Sequence, residues 1–350
     1  MELGILSLSD IQKNLETGET ATAGRRIDQA IAYATLADRL GLEVFALGEH
    51  HTPDYAVSSP AVVLAAIAAR TSRIRLTSAV TVLPILDPVR VYQDFATVDL
   101  VSHGRVDITV GRSAFAEPFA IFGERLEDYD ALFAEKLDLL LQVREHDHVT
   151  WSGRFRPALH DAPVIPRALQ HPLPVWVGVG GSPESAERAG RLGLPMTLGY
   201  IGGSLRHLRQ TVDIYRAAGE HAGHPEKLRV GLSTHFHAAS TSDKAREVFP
   251  YCHEYLRPKT PRGRGWVVTE AQFALGTQRQ GAVMVGSSRE LIEKILDAHQ
   301  ALGLDRFFGQ IDWGGLPEEL VKESINLFAT EIAPAVRSVI GTTGGFKSGE

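Results

Sequence analysis

Val177-Gly-Val-Gly-Gly-Ser-Pro-Glu-Ser-Ala186 runs from a β-branched strand through a glycine-rich turn into a helix start, with Ser182 placed to cap the helix and Pro183 suited to its first position. The same strand–turn–helix unit recurs on both sides. Short apolar runs rich in Val, Ile and Thr fall at residues 2–8, 44–47, 74–82, 105–110, 175–179, 195–198, 229–238 and 306–311. Between them lie stretches of helical period at 22–40, 60–69, 89–100, 129–143, 183–192, 204–222, 243–256, 288–302 and 317–339. Strands alternating with helices predict a parallel sheet, and eight such units predict an α/β fold of the (β/α)₈ TIM-barrel type.

The 350 residues fit one such barrel with insertions, so residues 1–339 are expected to form a single domain. Residues 257–282, rich in Arg, Gly, Thr and Gln and without clear period, read as an insertion before the last strand and as a mobile lid. Residues 340–350, Gly-rich, read as a flexible tail.

A composition of 44% hydrophobic and 22% charged residues supports a large folded core. The net charge of -6, with no long basic run, argues against nucleic-acid or anionic-membrane binding and leaves small molecules as the expected partners. Cys252 is the only cysteine, so no intrachain disulfide forms and a cytoplasmic setting is expected. Met1 leads at once into a strand-like run, and no apolar stretch reaches the roughly 18 residues of a membrane span.

Leu47-Gly-Glu-His-His-Thr-Pro53 lies where the second strand ends, which in a barrel is the rim that carries chemistry. Imidazoles there suit proton transfer near neutral pH. Neighbouring strand residues point to opposite faces, so His50 is taken as the inward one and a metal site shared by His50 and His51 is not expected. A hydrogen-bonded structural histidine is the alternative. Val110-Gly-Arg-Ser113 brings Arg112 to the rim, where a guanidinium can hold a phosphate or serve as an ion-pair partner. The turn Gly180-Gly181-Ser182 at a helix start outlines an anion site, or else a plainly capped helix. It matches neither G-x-G-x-x-G nor the P-loop, which favours a single phosphate, as in FMN, over a dinucleotide.

Taken together these segments resemble the bacterial luciferase-like monooxygenases, from the first strand to the final helix. Glu49-His50-His51 is similar to the family's EHH segment, and Ser78–Pro84 followed by Asp87-Pro88-Val89-Arg90 is similar to its VLP…PVR segment. Leu100–Arg105, Phe122-Gly123 and Gly193-Leu-Pro-Met196 match its further motifs. The resemblance implies a flavin-dependent oxidoreductase. His50 would be the acid or base at the flavin's reactive edge, Arg112 would bind the FMN phosphate, and Ser182 and Ser185 would join it. A non-prolyl cis peptide between Ala79 and Val80 would lie beneath the isoalloxazine, with Tyr200 near the ring and the substrate lined from residues 114–122, Tyr200 and the lid.

The implied activity is that of a two-component monooxygenase. Reduced FMN from a separate NAD(P)H:flavin reductase would react with O₂ through a C4a-(hydro)peroxyflavin and oxidise a small organic substrate, in a homodimer. An F420-dependent reductase or dehydrogenase and a non-catalytic flavin-binding subunit are the alternatives the superfamily offers. Two departures, Gly180-Gly181 where luciferase is acidic and Gly111 in place of a cysteine, argue against light emission.

Overall fold

The computed structural model describes residues 1–113, 115–258 and 265–341. Ala114, part of the expected lid (259–264) and most of the expected tail (342–350) lie outside the described residues.

Eight strands, Glu2–Ser7, Val44–Leu47, Arg75–Ser78, Val106–Gly111, Val175–Val179, Met196–Gly199, Val230–Ala239 and Arg306–Gln310, pair in parallel in chain order, and the eighth returns to the first. The expected barrel is therefore present. The third strand resumes after Val80 as Thr81–Val82, which pairs with Val110 and Gly111 of the fourth. Closure follows from patterning: Val106–Gly111 is buried at every position, with one face against the helices and one inside the barrel.

Inside, the barrel is filled rather than hollow. At the N-terminal end the buried Arg306 guanidinium lies 4.3 Å from the centre of the Trp176 ring and donates to Asp107 (3.0 and 3.3 Å) and Glu2 (2.6 Å). Above it, Leu6, Val44, Ala46 and Phe308 pack together, and the Thr77 and Thr109 hydroxyls meet at 3.0 Å. Gly4 admits this packing, because a Cβ there would fall 2.1 Å from the Val44 carbonyl oxygen. With the lower end closed, the open end is the C-terminal one, where the strand-to-helix turns gather.

Four local differences from expectation have physical reasons. An antiparallel hairpin, His148–Trp151 with Leu159–Pro163, interrupts the unit after the fourth strand; its mostly exposed residues give no apolar alternation to read. Residues 243–256 form two helices, Ser242–Arg246 and Phe249–Leu256, with Pro250 in the first turn of the second. The expected lid is not structureless: Glu270–Thr277 is a helix with a Thr269/Gln272 capping box, and it is followed by a short strand, Met284–Ser287, beside the far half of the seventh. At two turns it is too short for its period to stand out. The final helix runs to Gly341, into the stretch read as tail.

Asp107→Ala would leave the Arg306 charge buried without its fully buried partner, and is expected to cost about 3–5 kcal/mol in denaturant unfolding. The double variant Asp107→Leu/Arg306→Met should recover most of that loss. An unchanged midpoint for the single variant would mean that Glu2 alone compensates the guanidinium.

Candidate active site

The second strand stops at Leu47, so Glu49, His50 and His51 lie in the turn beyond it. Strand alternation is therefore not what separates the two histidines, as the sequence suggested; their partners separate them. Glu49, 4% exposed, accepts from His51 Nε2 (2.9 Å) and from the backbone N–H of Val82 (3.2 Å). Burial raises its pKa, and these two donors oppose the rise. His51 and Glu49 thus tie the second strand's rim to the third. His50 turns elsewhere, stacked on Tyr55 with centroids 3.8 Å apart and meeting Phe115 edge-on at 5.6 Å. Its Nδ1 is buried without a hydrogen-bond partner. Burial, with the neighbouring His51 second, pushes its pKa down to about 3, so the ring is neutral at pH 7.

Between Ala79 and Val80 the peptide is cis, as the resemblance implied. The Val80 side chain fills spaces that two glycines leave open: a Cβ on Gly111 would lie 2.4 Å from it, and one on Gly178 2.7 Å. Gly111 stands where the resemblance expects cysteine because Val80 occupies the room a side chain would need. Three adjacent strand ends meet here.

One residue beyond Gly111, Arg112 donates to Ser185 Oγ (2.8 Å) and to the Asp130 carboxylate, with its guanidinium 4.9 Å from the centre of the Tyr129 ring. Ser182 caps the helix Pro183–Arg191, its Oγ accepting from Ser185 N–H (3.3 Å) and donating to Glu184 (2.7 Å). Gly181 has φ +95°, and at both Gly180 and Gly181 the space beside the backbone is open. Arg112, Gly180, Gly181, Ser182 and Ser185 therefore come together at a helix N-terminus, a geometry suited to an anion. Arg188, three residues after Ser185, is one the sequence reading missed. The charge of Arg112 helps lower its pKa after burial, and its Nη1 is buried without a partner. Spacing of three on a helix is the signal that could have found it.

Tyr200, 1% exposed, lies just past the sixth strand, its hydroxyl buried without a hydrogen-bond partner. Across the mouth stands a second aromatic group that the sequence reading also missed. His235 meets Tyr255 edge-on at 5.2 Å, Tyr255 accepts a hydrogen bond from Gln310 (3.0 Å) and lies close enough to Tyr55 for the two phenols to interact electrostatically, and Tyr55 carries the stack on His50. Burial lowers the His235 pKa to about 4. Behind this row Asp10 and Asp312 share one guanidinium, Arg26, at 3.5 and 2.8 Å, and burial pushes Asp10 up to about 7.

The sequence profile described as luciferase-like monooxygenase matches residues 1–306. The chain belongs to the luciferase-like monooxygenase family. It is a flavin-dependent oxidoreductase. Among relatives of this luciferase-like chain, the oxygenase component of a flavin-dependent trigonelline monooxygenase from Acinetobacter baylyi is 22% identical, over 88% of this chain and 89% of its own. An F420-dependent glucose-6-phosphate dehydrogenase from Amycolatopsis mediterranei is 31% identical over 171 residues, 47% of this chain and 48% of its own. The crystal structure of the monooxygenase RslO1 from Streptomyces bottropensis superposes with a TM-score of 0.82 at 25% identity, covering 95% of this chain and 99% of that one. Among the described residues of this luciferase-like enzyme, no helix is long and apolar enough to cross a membrane.

A histidine whose folded pKa is depressed resists protonation while the unfolded chain takes up a proton, so its contribution to stability falls as pH drops below about 6.5. Relative to His50→Gln, the wild type is expected to lose about 2 kcal/mol between pH 7 and pH 5. Chemical denaturation at the two pH values measures this; parallel profiles for the two proteins would show that His50 titrates normally.

Proposed function

We propose that this enzyme is an FMN-dependent monooxygenase, working in the cytoplasm, that takes reduced FMN from a separate NAD(P)H:flavin reductase and uses O₂ to oxidise a small organic substrate. The observation that carries the reading is the convergence of Arg112 and Ser185 on the Ser182-capped helix, one residue past the glycine that receives Val80. A corner suited to a single phosphate would thus border the Ala79-Val80 backbone.

Reduced FMN supplies the electrons and the site at which O₂ is activated. The rest falls to the chain. Arg112, Ser185 and the free N–H groups at Gly181 and Ser182 would hold the phosphate, and Ala79-Val80 would support the ring. His50, with Nδ1 free of partners, would exchange a proton with the substrate or the ring edge. An anion brought beside it raises its pKa from about 3 towards the working range. Residues 265–282, with the helix Glu270–Thr277, would wall the mouth against water as part of an insertion in a single domain.

The relative that uses F420 supports a second reading, hydride transfer with a deazaflavin. The carboxylates Asp130 and Glu184 at the edge of the anion site favour FMN, because a cofactor whose chain continues past the phosphate into further carboxylates would meet like charge there. A flavin-binding subunit without turnover is the third, and the neutral, unpartnered His50 speaks against it. For the homodimer, the support is that Val62, Leu100, Val101, Ile165 and Leu169 are large apolar side chains left exposed.

An anaerobic titration with reduced FMN and, in parallel, reduced F420, followed by rapid mixing with O₂, tests the reading. Preferential FMN binding and a transient species spectrally distinct from oxidised and reduced flavin are expected; preference for F420 would move the enzyme to hydride transfer. His50→Ala is expected to lower turnover by roughly 10²–10⁴-fold while FMN binding holds. Arg112→Ala should weaken FMN by about 10–100-fold through loss of charge-assisted hydrogen bonds. Asp130→Ala, which frees that guanidinium, should tighten FMN; unchanged affinity in both variants would remove the phosphate from this site.

A further inference from the structure

A cavity of about 520 Å³ opens at the mouth between Ile201–Gly203, the seventh-strand His235 and the insertion. Its volume suits a drug-sized molecule. Its walls include Leu256, Trp266, Phe273, Val283 and Trp313, and its polar side chains are His235, Gln272 and Cys252. Among the described residues, none that line it carries an acidic or strongly basic group. The two titratable members are both neutral at pH 7, since burial lowers His235 to about 4 and raises Cys252 to about 12.

The cavity's His235 wall is linked by ring contacts to the proposed reaction centre. From His235 the row of rings leads through Tyr255 and Tyr55 to His50 by the contacts given above. The anion-binding groups Arg112 and Ser185 do not line it. The cofactor phosphate and this cavity thus use different walls of one mouth.

We propose that this cavity is the substrate site and that it selects an uncharged, largely apolar molecule of drug size, presenting one hydrogen-bonding group to His235. The inference rests on the reading of the protein as a flavin-dependent oxidising enzyme. Its physical ground is desolvation. A carboxylate, sulfonate, phosphate or ammonium group carried in would give up water and find no opposite charge among the described lining residues, whereas an apolar body gains by leaving water and a single hydroxyl or carbonyl keeps one partner. The cavity's walls therefore select against phosphorylated sugars and against small acids and amines.

Three probes of one shape and different charge test this by calorimetry on protein saturated with oxidised FMN: 2-naphthol, naphthalene-2-sulfonate and 2-naphthylmethylammonium. The naphthol is expected to bind at least tenfold more tightly than either ion. Leu275→Glu, at the rim with 64% exposure, should weaken the naphthol and strengthen the ammonium probe severalfold; Val283→Trp, which fills the cavity, should abolish naphthol binding. Sulfonate binding equal to or tighter than naphthol binding would overturn the proposal, as would naphthol affinity unmoved by both substitutions. FMN affinity is read on the same samples. Its absence would count against the cofactor assignment alone, and the probe ranking, repeated on the flavin-free protein, would still decide the charge preference of the cavity.

Discussion

Much of the site follows from one steric constraint, the seating of the Val80 side chain in the spaces left by Gly111 and Gly178. Three strand ends approach more closely there than side chains at either glycine would allow. Arg112 follows the first glycine by one residue, and the turn Gly180-Gly181-Ser182 follows the second by two. Placing those two strand ends against Val80 therefore also sets the guanidinium against the helix start. Glu49 braces the arrangement from the other side by accepting from the Val82 N–H, and His51 holds Glu49.

The two ends of the barrel treat charge in opposite ways. At the closed end Arg306 is buried together with Asp107 and also donates to the partly exposed Glu2, so its desolvation is offset by hydrogen-bonded partners. At the open end His50 and His235 are half-buried, and desolvation keeps both neutral. Walls whose described residues are uncharged, beside the Arg112 corner, suit a ligand pair in which a cofactor would bring the charge and a substrate the apolar surface. Asp130, which answers Arg112 across the corner, would moderate the affinity for an anion bound there.

Much of this was legible beforehand. The eight strands carry β-branched residues in short runs bounded by turns, because a strand buried on both faces tolerates little else; the helices carry their period because one face meets the barrel. His50, Arg112, Ser182, Ser185 and the Ala79–Val80 peptide stood out through their motifs. The hairpin after the fourth strand and the helix Glu270–Thr277 did not, being short and largely exposed or weakly patterned.

By itself, then, the sequence determined the order of strands and helices and which motifs fall at the strand ends, since local period and turn chemistry act over a few residues. Only the tertiary structure decided what those side chains meet. Arg112 and Ser185 are 73 residues apart, and the rings from His50 to His235 belong to different units of the barrel. Their contacts depend on closure of the sheet, which carries no local periodicity. The same closure decided that the described residues lining the cavity beside His235 are uncharged, a property of surfaces brought together from the sixth strand's loop, the seventh strand and residues 266–283.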